Sequence, residues 1–210
     1  RFGKPNYKGR ISGQIVANAL YYYTKPGDYI VDPFAGSGTV ADIIEILPHF
    51  QDRRYKLYDA HPLEERITHN NVLLTGIPEQ SGTVDYIFLD PPTDFSTRDA
   101  TSDFAVSLDA TRADFSLKFK GIVRGCARVL KSGGKVSMVI EPAFSVTEFI
   151  DFPNEMTKLF VETGFKQVGK VYLPRRSGES TNRGIQNISE MRGIRALTSD
   201  CRELLTFQKQ

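Results

Sequence analysis

Val31-Asp32-Pro33-Phe34-Ala35-Gly36-Ser37-Gly38-Thr39 is the stretch on which the fold turns. The apolar run Tyr29-Ile30-Val31 leads into it, and residues 39–47 carry apolar positions at helical spacing before Pro48 stops them. The stretch therefore reads as strand, glycine loop, helix. Glycines at 36 and 38 let the backbone turn tightly and approach a ligand without Cβ clashes. The free amides of the helix start add a partial positive field. Asp90 follows Asp32 by 58 residues, in Leu89-Asp90-Pro91-Pro92, again at the end of an apolar run. Both motifs thus fall at the carboxyl ends of strands, the edge where open α/β sheets bind ligands.

Outward from these motifs the chain alternates helix and strand. A helix is expected over residues 11–23, a turn at 25–28 and strands at 29–31, 55–58 and 84–89. A helix is expected after His61-Pro62, with an abbreviated third strand near 72–74. A polar loop over 93–111 precedes a helix at 113–130, which Lys131-Ser132-Gly133-Gly134 should stop. A strand at 136–140, a helix at 154–163 closed by Gly164, and strands at 167–173 and 203–207 complete the pattern. Such alternation implies a doubly wound, mostly parallel sheet. The last two strands lack a helix between them and are expected to pair as a hairpin, adding an antiparallel strand.

Composition sets the bounds. The chain has 210 residues, 40% hydrophobic and 25% charged, as expected of one domain spanning 1–210. A net charge of +2 gives no overall signal for nucleic acid, so local basic clusters must carry that reading. Cys126 and Cys201 read as reduced thiols, and His49, His61 and His69 have no metal-ligand spacing, so no metal is expected. No apolar run suits a membrane span and no secretory signal is visible, which makes the cytoplasm the expected location. The chain opens on Arg1 rather than Met, so a preceding domain is left open.

The glycine loop constrains its ligand further. Asp59 lies 27 residues after Asp32, at the end of the next strand, where a carboxylate can accept from both hydroxyls of a ribose. A dinucleotide fits less well, because Asp32-Pro33 would set a carboxylate near the pyrophosphate. There is no Gly-Lys-Ser/Thr of a nucleotide-hydrolysing loop. A phosphate-free cofactor with a cationic sulfonium and an amino-acid tail suits the site better. In the second motif two prolines stiffen the backbone and remove amide donors. That leaves the Asp90 carboxylate and the Pro91 carbonyl as acceptors for the two N–H groups of an exocyclic amine.

Asp32-Pro33-Phe34-Ala35-Gly36-Ser37-Gly38-Thr39 and Asp90-Pro91-Pro92 together resemble the cofactor and catalytic motifs of S-adenosylmethionine-dependent amino-methyltransferases. These comprise the DNA adenine-N6 and cytosine-N4 enzymes and related RNA enzymes. The resemblance covers about residues 8–173, with a closing strand near 203–208. It implies a Rossmann-like, seven-stranded sheet and S-adenosylmethionine held by Asp32, Pro33, Phe34, Gly36, Gly38, Thr39 and Asp59. It implies in-line transfer to an amine held by Asp90 and Pro91, with Pro92 shaping the turn and no covalent intermediate. Three departures accompany it. Thr93 stands where an aromatic ring usually stacks on the base, and Phe95 is the candidate replacement. Only 30 residues lie between Asp59 and Asp90, short for a full helix–strand–helix segment. No target-recognition domain fits between the motifs.

Recognition then falls to the 93–113 loop, to a partner, or to a basic arm at 174–202. That arm carries Arg175, Arg176, Arg183, Arg192 and Arg195, with Arg202 at its end. Arg1, Lys4, Lys8 and Arg10 add an N-terminal cluster without acids. Arginines on polar backbone suit phosphate contact. The expected partner is nucleic acid, DNA ahead of RNA, with a second copy of the chain or a separate specificity subunit also open. Two alternatives stay open beside the DNA reading: an RNA amino-methyltransferase, and a catalytically silent nucleic-acid-binding subunit, which Thr93 favours.

Overall fold

The computed structural model describes residues 2–4, 10–91, 112–144, 149–174 and 201–210. The element order is α1 (Gly13–Tyr23), β1 (Tyr29–Asp32), α2 (Thr39–Ile46), β2 (Arg54–Asp59), β3 (Ile67–His69), α3 (Val72–Thr75) and β4 (Val84–Leu89). Then come α4 (Arg112–Val129), β5 (Leu130–Ile140), β6 (Ala143–Phe144), β7 (Phe149–Ile150), α5 (Phe152–Glu162), β8 (Phe165–Pro174) and β9 (Cys201–Lys209). Seven strands form one sheet in the order β3-β2-β1-β4-β5-β9-β8, while β6 and β7 make a separate two-stranded ribbon.

The strands from β3 to β5 pair in parallel, and β9 lies antiparallel between β5 and β8. Six strands therefore share one direction and β9 opposes them, the doubly wound arrangement with a late antiparallel strand that the sequence implies. The central strands are buried on both faces, as a parallel sheet covered by helices requires. Along β4, Ile87 and Leu89 join the core beneath α4 and α5, with Phe119, Phe160 and Phe207. Tyr86 and Phe88, pointing the other way, join the core beneath α1 and α2, with Leu20 and Ile43. Phe160 of α5 stacks on Phe207 of β9 with centroids 4.3 Å apart. That contact docks the antiparallel strand against the helix layer.

Three local expectations are corrected. No helix follows His61-Pro62; residues 60–66 run as turns. The third strand is Ile67–His69, not 72–74, because Ile67, Thr68 and His69 align with Leu57, Tyr58 and Asp59 of β2. Val72–Thr75 is instead a single helical turn, capped by Asn71, whose Oδ1 accepts from the Leu73 amide at 3.1 Å. A short apolar run fits either element, and here the cap and the burial of Val72 select the helix. Residues 131–134 do not simply end α4. They lie within β5 as an excursion between Leu130, paired with Val84, and Lys135, paired with Tyr86.

Candidate functional site

Because β1 lies between β2 and β4, the carboxyl ends of these three strands are neighbours, with strands spaced by roughly 4.8 Å. Asp32 closes β1, Asp59 closes β2, and Asp90 follows β4 by one residue. The topology thus brings together the two motifs that the sequence separates.

The glycine loop is shaped by short-range backbone geometry. Asp32 Oδ1 accepts from the Phe34 amide at 2.9 Å, and the Ala35 amide donates to the Tyr58 carbonyl of β2 at 3.0 Å. Gly36 and Gly38 have φ of +48° and +78°. Gly38 caps α2 in the left-handed conformation, and a Cβ there would collide with Glu64 Oε1. The dihedral favours glycine, and a Cβ would in addition have to displace the Glu64 carboxylate. Asp59 spans the mouth of the loop. Its Oδ2 accepts from the Gly36 amide at 2.8 Å and its Oδ1 from the His61 amide at 2.8 Å. Each oxygen keeps lone-pair capacity for a hydroxyl donor. Pro33 and Thr39 are buried in the loop's base, and Phe34 is half-buried against the α4–α5 core.

Asp32 lies beneath the loop, 4% exposed. Burial pushes its carboxyl well above the usual aspartate range; the Phe34 amide opposes this, and the nearby charges of Asp90 and Asp59 add to it. Its contact within the described residues is with the loop backbone, so it shapes the cradle from below.

Several contacts here escape sequence reasoning. Residues 2–4 run over the glycine loop. The Gly3 amide donates to Asp42 Oδ2 at 2.7 Å and the Lys4 amide to the Ser37 carbonyl at 3.3 Å. A Cβ at Gly3 would meet the hydroxyls of Ser37 and Thr39. The Lys4 ammonium donates to the Leu63 carbonyl, and Arg10 donates to the Gly3 carbonyl at 3.3 Å. These two cations, read from sequence as phosphate contacts, hydrogen-bond backbone carbonyls here: Lys4 ties the N-terminal segment to Leu63, and Arg10 ties back to residues 3 and 4. Arg66 gathers Asp42 at 2.8 Å, Glu45 at 2.6 Å and Glu64 at 2.8 Å. Burial works against its charge, but the carboxylates outweigh burial and hold it charged.

At the second motif, Asp90 is largely buried and Pro91 is buried. Burial raises the Asp90 carboxyl above its ordinary value; Arg202 pulls it down and Glu141 pushes it up. Arg202 NH2 lies 2.5 Å from Asp90 Oδ1. This corrects the reading of Arg202 as a phosphate-binding arginine of the arm. It belongs to β9 and points to the strand edge. Pro92, Thr93 and Phe95 lie outside the described residues, as do Arg175, Arg176, Arg183, Arg192 and Arg195. Phe144 forms part of the β6–β7 ribbon. Cys126 is buried, which pushes its thiol up to about 12, so its sulfur packs as a small apolar group.

No protein-family model matches the chain, and no curated protein matches it. Solved structures do. It is similar to TrmN from Thermus thermophilus, with a TM-score of 0.57 and 15% identity over 98% of this chain. The chain spans about half of that protein, 51% of its length. It is similar to a SAM-dependent methyltransferase from Methanosarcina mazei, with a TM-score of 0.56 and 12% identity, covering 90% of this chain and 96% of that one. It is also similar to a precorrin-6y C5,15-methyltransferase from Geobacter metallireducens, with a TM-score of 0.55 and 14% identity, covering 99% and 94%. At these identities the likeness shows the fold alone, a Rossmann-like doubly wound sheet that these methyltransferase structures share. Among the described residues, no helix is long and apolar enough to cross a membrane.

Proposed function

We propose that the chain transfers a methyl group from S-adenosylmethionine to the exocyclic amino group of a nucleobase, adenine N6 or cytosine N4, in DNA ahead of RNA. One observation carries this reading. The register of β1 and β4, with Val31 opposite Ile87, sets the glycine loop and Asp90-Pro91 side by side at one sheet edge. A fold at this level of identity hosts many substrates, so the site must supply the chemistry.

The residues present suit the cofactor. Gly36 and Gly38, both at positive φ, turn the loop tightly, and Asp59 offers acceptors for ribose hydroxyls. S-adenosylmethionine, held there, supplies an electrophilic methyl on a sulfonium. Asp90 and the Pro91 carbonyl accept the two N–H groups of the substrate amine and orient its nitrogen lone pair. Catalysis then rests on positioning and electrostatics rather than on a protein nucleophile. The nitrogen sheds one proton after transfer, and the Asp90 carboxylate is the proposed acceptor. The near-match of the glycine string to that of the DNA enzymes supports DNA. A base in a duplex would have to be flipped out, at a few kcal/mol. The arm arginines 175, 176, 183, 192 and 195 are the proposed phosphate contacts.

Labelled cofactor, offered with separate DNA and RNA pools and followed by nucleoside mass spectrometry, tests the reading. Methylated adenine or cytosine in DNA is the expected product. Label confined to RNA would move the substrate, and absence of cofactor binding by calorimetry would remove the enzymatic reading altogether.

A further inference from the structure

Asp90 has no cation near it in sequence, yet it lies against one in space. The reason is the direction of β9. The parallel strands end at the site, but an antiparallel strand begins there, so Arg202, the second residue of β9, reaches the same edge as Asp90. The registers place it. Leu89 pairs with Met138 of β5, and Ile140 of β5 pairs with Glu203. Arg202 therefore lies just past the last β5–β9 pair, with Leu173 of β8 on its other side. Its side chain reaches back across the end of β5 to Asp90 Oδ1, bridging a sequence separation of 112 residues.

We infer that Arg202 is a positioning residue for methyl transfer: it holds Asp90 by Oδ1 and leaves Oδ2 to accept from the substrate amine. The inference rests on the proposed amine-holding role of Asp90. Two observations support it. First, the contact constrains both partners. Asp90 is 12% exposed and Arg202 24%, and the guanidinium Nε is buried without a hydrogen-bond partner among the described residues. The bond to Asp90 is thus a hydrogen bond that holds the guanidinium among the described residues. Second, the corner is acidic. Asp32 ends β1, Asp59 ends β2, Glu141 follows β5, and Glu203 of β9 is paired with Lys170 of β8 at 2.8 Å. Arg202 is the cation that bonds Asp90 within this group, and it favours the ionised carboxylate that an N–H donor requires.

The sign follows directly. Loss of the guanidinium removes an interaction that lowers the Asp90 pKa, while burial and Glu141 still raise it. The carboxylate then protonates at higher pH and ceases to accept. In Arg202→Met we expect the acid limb of the kcat–pH profile to move up by about one unit or more. The apparent affinity for S-adenosylmethionine should stay within twofold, and Arg202→Lys should restore part of both rate and profile. An acid limb that does not move in either variant would overturn the inference. A substrate-free measurement separates it from the functional reading: carbon-13 titration of the Asp90 carboxyl in the whole chain, with and without Arg202→Met. An upward shift with no methylation of any nucleobase would sink the methyl-transfer reading while upholding the Arg202–Asp90 coupling. An unchanged titration alongside active wild-type enzyme would sink the Arg202 role alone.

Discussion

The two halves of the site are built by different means. At the ends of β1 and β2 the cradle is made from backbone: loop amides on Asp32 and Asp59, left-handed glycines, and residues 2–4 fastened over the top. At the end of β4 the residue proposed to hold the amine is a buried side chain held by another side chain from the far end of the chain. The first half needs particular residue types at fixed local spacing, because a dihedral or a close approach forbids others. The second needs only a cation somewhere on a strand that happens to begin at the right edge. Geometry of the first kind is written locally; geometry of the second kind exists only once the sheet is assembled.

Substitutions can separate the halves. The largest effect is expected from Asp90→Ala, which should cut methyl transfer by roughly 10²–10³-fold while cofactor affinity stays within twofold by calorimetry. Unchanged turnover would remove Asp90 from the chemistry. The converse case is Gly38→Ala. A left-handed non-glycine residue costs roughly 1–2 kcal/mol, and the Cβ must also displace Glu64. Cofactor affinity should weaken about tenfold, with the acid limb of activity unmoved. Wild-type affinity in this variant would mean that the cradle tolerates a side chain.

Asp32→Asn probes the electrostatic link between the halves, since Asp90 and Asp59 both raise the Asp32 carboxyl. A raised folded pKa makes the aspartate's contribution to stability fall as pH rises from the unfolded value, about 3.9, through the folded one. Asparagine cannot ionise and can still accept from the Phe34 amide. Thermal unfolding should therefore show Asp32→Asn more stable than wild type at neutral pH, by a few degrees, with the gain vanishing below about pH 4. A gain that persists in acid would point to packing instead. The smallest effect is expected from Arg66→Ala. Its side chain is 31% exposed, so the lost pairs are partly screened and worth about 1 kcal/mol together. A Tm drop of roughly 2–4 °C is expected, shrinking as salt is added.

These contrasts explain what the sequence makes legible. β4 is expected over 84–89 and found there, because an unbroken apolar run ending at Asp90-Pro91 has one reading. The glycine loop and Asp59 are equally plain. The region from 60 to 75 is not. Its apolar stretches are three or four residues long, and the choice between strand and helix is made by pairing with β2 and by the Asn71 cap. Arg202 is misread for a related reason. In one dimension it is the last of a run of arginines; only the antiparallel entry of β9 separates it from them. The first residues of a strand that runs backwards lie where the parallel strands finish.

The placement of β9 also orders events in time. It is an interior strand of the sheet, between β5 and the edge strand β8, yet its residues leave the ribosome after every other strand described here. At synthesis rates of about 5–20 residues per second, the 112 residues between Asp90 and Arg202 represent on the order of ten seconds. Until β9 emerges the acidic corner lacks its counterion, and β5 and β8, once made, have no strand between them. Insertion of β9 is a late, long-range step, and the same step that completes the sheet also delivers the guanidinium to Asp90.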